Sequence, residues 1–444
     1  MIASTPALRN GSREPVINRI AQRRIASRSK WVRCVGSQWI GARRYRPSYR
    51  SCESISVLKS RSEQFRQNFI DGWESEGASL AVFVKGKKVV DVWGGYADKQ
   101  AARKWEQDTI SVTFSSTKAV AAVCIAILAD RGRLKYDDLV SKHWPDFAKN
   151  DKGNITIEWV LAHISGLQYF DTEITKEMAF DHNLMRSAIQ SEVPKTPPGS
   201  TFAYHAFTYG WLVDQIIRHT DEKHRGIGQF FREEIAEPNG IDYHIGLSST
   251  EEYRVARVVL QSTADFLSEL WHDPKAVIPI IKFYTTGKNH YMAKAFSNPS
   301  WVDIMDKCTV NDPEQHAMEQ AAALGIGNAR SLASIFNLLV TGRLIGEQTL
   351  TRIEKPVLKE VELFGSSPLA MGLGFFHHPN EGAETSYLIG HSGFGCQQVI
   401  FDTKNQIVFA YVTNGMKAGV YDGCRNYARI HKAVLDTVKR RKED

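Results

Sequence analysis

Residues 119–129 form an uninterrupted apolar run, and this run constrains the fold more than any other segment of the chain. Its composition predicts a helix, and a helix that is apolar nearly all round must be covered by other elements on every side. The run is too short to cross a bilayer, which takes about 20 apolar residues. We therefore expect a large globular domain around this helix, and the 43% hydrophobic content of the 444 residues can supply its core.

Two polar residues stand where this buried helix begins. The segment Thr-Phe-Ser-Ser-Thr-Lys at 113–118 leads directly into the apolar run. Ser115 and Lys118 are three residues apart, so they share one face of the first helical turn. A serine hydroxyl needs a neighbouring base to become a nucleophile, and burial lowers the pKa of a lysine enough for it to be that base. The pattern predicts Ser115 as a nucleophile and Lys118 as its base.

The Ser-x-x-Lys spacing alone is weak evidence, because it occurs twice more in the chain. Ser27 and Lys30 lie in a basic N-terminal arm, and Ser56 and Lys59 lie on the polar edge of a predicted helix. Only Ser115 opens a buried helix.

Strand-like segments lie towards both ends of the chain, and the middle is helix-leaning and rich in loops. The predicted elements are a helix at 56–74, strands at 78–84, 89–93, 395–401 and 406–412, and a helix at 421–439. This order predicts an α/β (α+β) fold with a central antiparallel sheet built from both chain ends and flanked by helices. A mainly helical lobe, roughly 135–345, is expected beside the sheet, with the active site between them.

The basic charge of the chain is concentrated in its first 50 residues. The net charge is +7, yet residues 1–50 hold eleven Arg and one Lys against a single acid, Glu14, and the remainder has 44 basic and 48 acidic residues. Because the body lacks a basic face, we expect no nucleic-acid partner. We divide the chain into an arm at 1–52 and one domain at 53–440.

The arm is rich in Arg and Ser and lacks the apolar core of a secretory signal. Its composition resembles that of a mitochondrial transit peptide, and the alternative is a disordered basic extension. The expected location is accordingly mitochondrial or cytoplasmic.

The cysteines and histidines show no metal-binding pattern. None of the six cysteines forms a CxxC or a similar metal spacing, and as a set they suit a reducing compartment. His377 and His378 precede Pro379 without a third ligand, and we interpret the pair as a solvated turn. No phosphate-binding loop occurs either. We expect no metal and no cofactor.

Two later segments can complete a site around Ser115. Tyr204 lies on a loop just before the apolar helix that begins near residue 207, so its phenol can point into a cleft. A tyrosine beside a cation can ionise below its usual pKa of about 10. Further on, His391-Ser392-Gly393-Phe394 opens the last strand pair, and glycine there permits close approach of a substrate.

These three motifs, in this order, resemble those of the serine β-lactamase and penicillin-binding-protein superfamily. The likeness covers about residues 60–437 and is greatest to class C β-lactamases, family VIII esterases and LACTB-like proteins. The segment His163-Ile164-Ser165-Gly166-Leu167 and the run 327–331 are also similar. The resemblance implies a β-lactamase/transpeptidase-like fold.

The resemblance also implies a role for each site residue. Ser115 would be acylated, and Lys118 and Tyr204 would share the proton transfers. His391 would orient Tyr204 or the substrate, with Ser392 and Gly393 lining the same strand. The backbone N–H groups of Ser115 and Phe394 would form the oxyanion hole. His163 would be structural.

Two departures from the family pattern bear on the substrate. Ala206 stands where β-lactamases of this group have the asparagine of Tyr-x-Asn, and His391 stands where the family often has lysine. Both changes count against hydrolysis of β-lactam antibiotics and leave acyl transfer intact.

We expect a serine hydrolase that cleaves a small ester or a short peptide bond without a transmembrane segment. The alternative is a catalytically weak scaffolding protein that assembles into homo-oligomers or filaments, as LACTB-like proteins can. A true β-lactamase is the third hypothesis.

Overall fold

The computed structural model describes residues 55–285, 287–304, 306–363, 368–379, 387–419 and 421–443. The proposed N-terminal arm, including Ser27, Lys30 and Glu14, lies outside the described residues. Among the described residues, no helix is both long enough and apolar enough to cross a membrane.

The strands form two antiparallel sheets within the described residues. The strands are β1 Gly77–Val84, β2 Lys87–Asp98, β3 Arg103–Lys104, β4 Ser111–Val112, β5 Tyr243–Ile245, β6 Gly325–Gly327, β7 Leu358–Val361, β8 Leu369–Met371, β9 Phe376–Pro379, β10 Tyr387–Gly393, β11 Gln397–Asp402 and β12 Ile407–Thr413. The large sheet has the order β3-β2-β1-β12-β11-β10-β9-β8-β7, and the small sheet has the order β4-β6-β5. Since β1 pairs with β12, with Leu80 opposite Tyr411, the chain ends build one sheet, as the sequence predicted.

The helices cover both faces of the large sheet and form the lobe beside it. They are α1 Ile55–Ile70, α2 Ser116–Asp130, α3 Val140–His143, α4 Ile157–Leu161, α5 Lys176–Phe180, α6 His182–Ser191, α7 Thr208–Thr220, α8 Ile227–Phe231, α9 Glu237–Asn239, α10 Thr263–His272, α11 Pro274–Thr285, α12 Tyr291–Ser297, α13 Pro313–His316, α14 Ala329–Val340, α15 Glu347–Ile353 and α16 Arg425–Glu443.

The core lies on both faces of the large sheet. Helices α1 and α16 pack together over one face, where Phe65, Tyr411 and Tyr427 are buried. Helices α2 and α14 pack on the other face, and every residue of α2 from Ser116 to Leu128 is buried. The expectation that the apolar run forms a helix covered on every side is therefore confirmed.

The middle region combines its helices with β5 and β6, and its α14 packs on β1 and β12 of the large sheet. One expectation needs correction. His377 and His378 are not a solvated turn, since they lie in β9 and are at most 3% exposed.

The cysteines also differ from the expectation that, as a set, they suit a reducing compartment. Cys396 and Cys424 form a disulfide, with their Cα atoms 5.9 Å apart, whereas Cys124 and Cys308 are free. The bond links the start of β11 to the start of α16. The prediction failed because the two residues are 28 positions apart, and only the packing of α16 on the sheet brings them together.

Candidate active site

Ser115 is the N-cap of the buried helix α2 and is itself half-buried. The preceding residue, Phe114, has a φ of 45°, a backbone conformation that residues other than glycine rarely adopt. Thr113 anchors this turn, because its N–H donates to the Gly325 carbonyl at 2.8 Å and its hydroxyl lies 2.7 Å from that of Tyr243. The turn thus fixes Ser115 at the surface end of α2.

Lys118 lies one helical turn further on and is completely buried. Its Nζ is 2.9 Å from the carbonyl oxygens of Ala206 and Ala322 and 3.4 Å from Ser115 Oγ. In the described part of the chain, no carboxylate forms an ion pair with it, and burial lowers its pKa well below the usual value for lysine.

The lowered pKa favours a neutral amine, and that form can also make the three contacts. A neutral amine has two N–H bonds and one lone pair, whereas an ammonium has three donors and no acceptor. The two carbonyls of Ala206 and Ala322 take both donors. The lone pair is then left for the hydroxyl hydrogen of Ser115, which is the arrangement that a general base requires.

Tyr204 lies on the loop before α7 and is 5% exposed. Its phenol hydrogen-bonds to Ser115, and its ring centroid is 4.8 Å from Lys118 Nζ. The expectation that a neighbouring cation lowers the pKa of Tyr204 is wrong, because burial raises it above the usual value. Tyr204 is therefore a protonated phenol, able to donate a proton.

Two buried histidines support the Tyr204 loop. The ring of His163 is 4.7 Å from the ring of Tyr204, and its Nδ1 accepts a 3.1 Å hydrogen bond from the His205 N–H. The ring of His205 is held in turn, at 2.7 Å each, by Ser165 Oγ and the Ala203 carbonyl. Burial lowers the pKa of both histidines, so both rings are neutral.

Strand β10 lies directly against the segment that carries the nucleophile. Ser116 Oγ donates to the His391 carbonyl at 3.2 Å. A Cβ on Gly393 would lie 2.4 Å from the Thr113 carbonyl oxygen, so only glycine allows this approach. Phe394 follows in the next turn, and the two segments proposed to form the oxyanion hole are neighbours.

His391 is buried at this edge and carries no charge. Its ring centroid is 6.3 Å from that of Tyr204, and its Nδ1 donates to the Ser392 carbonyl at 2.7 Å. Burial lowers its pKa to about 3. Its Nε2 has no hydrogen-bond partner among the described residues. Ser392 is already engaged, because its hydroxyl donates to Gln398 Oε1 at 2.8 Å.

The structure therefore brings Ser115, Lys118, Tyr204 and His391 into one site. Sequence reasoning missed the carbonyl oxygens of Ala206 and Ala322, because a backbone acceptor has no side-chain signature. Ser392 faces Gln398, and its proposed contact with substrate stays a prediction. Within the described ranges, no group of three or more metal-ligating side chains occurs.

Comparisons with known proteins agree with this geometry. The sequence model of the β-lactamase family, described simply as "Beta-lactamase", matches residues 65–433. The chain belongs to the β-lactamase family. Its fold is therefore β-lactamase/transpeptidase-like, and it is a serine hydrolase.

The relatives include esterases. The chain is 30% identical over 349 residues to the Mycobacterium tuberculosis protein named esterase/beta-lactamase LipL, covering 76% of this chain and 77% of that protein. Among solved structures, a penicillin-binding-protein homologue from Caulobacter crescentus is 31% identical with a TM-score of 0.73, covering 86% and 97% of the two chains. A family VIII carboxylesterase is 26% identical with a TM-score of 0.69, covering 85% and 97%.

Proposed function

We propose that the protein hydrolyses carboxylic esters through an acyl-Ser115 intermediate. The observation that carries this proposal is the position of Lys118 Nζ, which is fully buried and lies 3.4 Å from Ser115 Oγ and 2.9 Å from the carbonyl oxygens of Ala206 and Ala322. The lowered pKa of Lys118 supports the same assignment. Small-molecule esters are favoured as substrates by the names of LipL and of the carboxylesterase.

In acylation, Lys118 accepts a proton and Tyr204 donates one. Ser115 Oγ attacks the ester carbonyl and passes its proton to Lys118. The oxyanion is stabilised by the N–H groups of Ser115 and Phe394. The ester C–O bond breaks as Tyr204 donates its proton to the departing alkoxide, which leaves as the alcohol. Lys118 is then an ammonium and Tyr204 a phenolate.

Hydrolysis restores both groups. A water molecule takes the place of the alcohol beside Tyr204, gives its proton to the phenolate and adds to the acyl carbon. The bond to Ser115 breaks, and Ser115 Oγ recovers its proton from Lys118. The products are the carboxylic acid and the original enzyme.

The neutral His391 favours esters without a free carboxylate. A β-lactam or a peptide carboxylate needs a fixed cation, and the buried imidazole, with a pKa of about 3, supplies none at neutral pH. Ala206 also lacks the amide of the asparagine that the related β-lactamases have at this position.

Fluorophosphonate labelling followed by peptide mapping tests the proposal. The label is expected on Ser115, and the Ser115→Ala variant should lose both the label and at least about 10⁴-fold in kcat/KM for p-nitrophenyl acetate. Ser56→Ala is the matched control, because Ser56 and Lys59 have the same spacing on α1, and it should label normally. Unchanged hydrolysis by Ser115→Ala would refute the acyl-Ser115 route.

A further inference from the structure

Helix α10 carries apolar side chains on the side that faces solvent. Glu269 is 6% exposed and accepts a 2.8 Å hydrogen bond from the Ala418 N–H, so its side of the helix faces the protein. Leu267 and Trp271 each lie two residues from Glu269, which places them on nearly the opposite side of the helix, and they are 57% and 92% exposed. A surface helix of a soluble protein normally buries its apolar residues and exposes its charged ones. In α10 an acidic side chain is buried, while two large apolar side chains are left in water.

The next helix, α11, adds to this exposed apolar surface. It follows α10 after a single residue, Asp273, and packs against it. Ile278 and Ile281 are three residues apart, so they share one side of α11, and they are 40% and 45% exposed. Single exposed apolar side chains are ordinary, whereas four on one pair of packed helices are characteristic of a surface that binds a partner. We call the set of Leu267, Trp271, Ile278 and Ile281 the hairpin surface.

Lysines accompany the apolar residues on α11. Lys275 lies three residues before Ile278 and Lys282 lies four residues after it, so both share this side of the helix, and both are exposed. The run 274–297 holds four lysines and no acidic residue. Lys282 Nζ lies 3.2 Å from a carboxylate oxygen of Glu362, whereas Lys275 forms no ion pair within the described ranges of the chain. The hairpin surface is therefore bordered by positive charge, and part of that charge is not neutralised.

This combination fits the surface of a membrane better than it fits a second copy of the chain. Tryptophan is enriched at the boundary between lipid and water, and lysine can bury its methylene stem while its ammonium reaches anionic headgroups. A standard dimer interface takes about 20–30 residues from each partner. The exposed sides of two helices of 10 and 12 residues do not supply that number. In a two-fold dimer the lysines would also face the same basic surface of the other copy.

We propose that the hairpin surface docks the protein on membranes that contain anionic phospholipids. Leu267 and Trp271 enter the boundary between headgroups and acyl chains, and Lys275 stays at the level of the lipid phosphates. The proposal adds an interaction site to the protein. It does not depend on the acyl-Ser115 route, because none of these residues takes part in the reaction described above.

Vesicle flotation with the full chain tests the proposal. The vesicles are phosphatidylcholine alone or phosphatidylcholine mixed with phosphatidylglycerol, and the partition coefficient is measured at physiological ionic strength. Trp271→Ala is expected to lower the partition coefficient by about tenfold on the mixed vesicles, because a large apolar side chain no longer enters the lipid. Lys275→Glu is expected to lower it by about tenfold on the mixed vesicles and little on phosphatidylcholine alone, because an attraction to anionic lipid becomes a repulsion.

Two variants outside the hairpin surface match these changes. Tyr253 is an aromatic side chain that is 72% exposed, and Lys404 is an exposed lysine in the turn between β11 and β12. Tyr253→Ala and Lys404→Glu should each leave the partition coefficient within about twofold of wild type. The basic segment 1–52 can itself bind anionic vesicles through its eleven arginines. Because that segment is the same in every variant, differences between variants report on the hairpin surface.

Thermal melting and hydrolysis of p-nitrophenyl acetate check that each variant is folded. Both should match wild type, because the substituted side chains are exposed and lie outside the active site. If Trp271→Ala does not fold, the comparison of Lys275→Glu with Lys404→Glu decides alone.

Three results would overturn the proposal. The first is that wild type does not bind the mixed vesicles, and the second is that the hairpin variants and their controls lose binding equally. The third comes from sizing without lipid. If wild type is a dimer and Trp271→Ala is a monomer, the hairpin surface is covered by a second copy of the chain and not by lipid.

Discussion

The two sides of Ser115 differ in burial and in the kind of contact that holds them. On the side of α2 and α7, Lys118 and Tyr204 are almost completely buried, and each makes hydrogen bonds at the site. On the side of Phe394, the contacts are apolar, because the half-buried Phe394 ring packs edge to face on Phe114. Burial is needed where a pKa must be shifted, whereas holding the Phe394 N–H near Ser115 needs only close packing of the chain. The groups proposed to transfer protons and the segment proposed to hold the oxyanion can therefore be tested separately.

The largest effect after loss of Ser115 is expected from Lys118→Met, which keeps the length of the side chain and removes the base. We expect kcat/KM for p-nitrophenyl acetate to fall on the order of 10³–10⁴-fold. In wild type, kcat/KM should be lost as the pH falls through the lowered pKa of Lys118, since only the neutral amine accepts a proton. The residual activity of Lys118→Met should lack this acid limb.

Lys152→Met is the matched control for this variant. Lys152 is also fully buried, and its Nζ donates to the backbone carbonyls of Lys149 and Gln190 at 2.7 and 3.0 Å. It therefore reproduces the loss of a buried amine held by carbonyls, without a contact to Ser115. An equal loss of kcat/KM in both variants would mean that Lys118 acts through stability alone.

A smaller and more selective effect is expected from Tyr204→Phe. If Tyr204 protonates the leaving group, kcat/KM should fall on the order of 10²–10³-fold for an alkyl ester and much less for a p-nitrophenyl ester, whose leaving group needs no proton. The acyl-enzyme should accumulate in a burst with the p-nitrophenyl ester. Because burial raises the pKa of Tyr204, wild-type kcat/KM should not decline on the alkaline side before pH 10.

Tyr209→Phe serves as the control for Tyr204→Phe. Tyr209 is also buried, and its hydroxyl donates to the Lys118 carbonyl at 3.4 Å rather than to Ser115. It should change kcat/KM only a few-fold and equally for both esters. A parallel loss for both leaving groups in Tyr204→Phe would argue against the proton donor.

Features that depend on neighbouring residues could be predicted from the sequence, whereas features that depend on distant contacts could not. The strands near both chain ends and the buried start of α2 follow from periodicity and composition, which are properties of a few neighbouring residues. The direction of the pKa shift of Tyr204 was missed, because the sequence shows that a lysine can be near but not that water is excluded. The carbonyls of Ala206 and Ala322 beside Lys118 and the Cys396–Cys424 disulfide depend on contacts between distant segments.

The smallest effect is expected from His391→Lys, in strand β10, which ends just before Phe394. A lysine there adds a cation facing the substrate, and one hydrogen bond to a charged group is worth about 1.5–3 kcal/mol. The ratio of kcat/KM for nitrocefin, which carries a carboxylate, to that for p-nitrophenyl acetate should therefore rise by roughly tenfold or more. His391→Gln changes the side chain without adding charge and should leave the ratio near that of wild type. If both variants raise the ratio equally, the tight packing of His391 at the β10 edge, and not the missing cation, is what excludes carboxylate-bearing substrates.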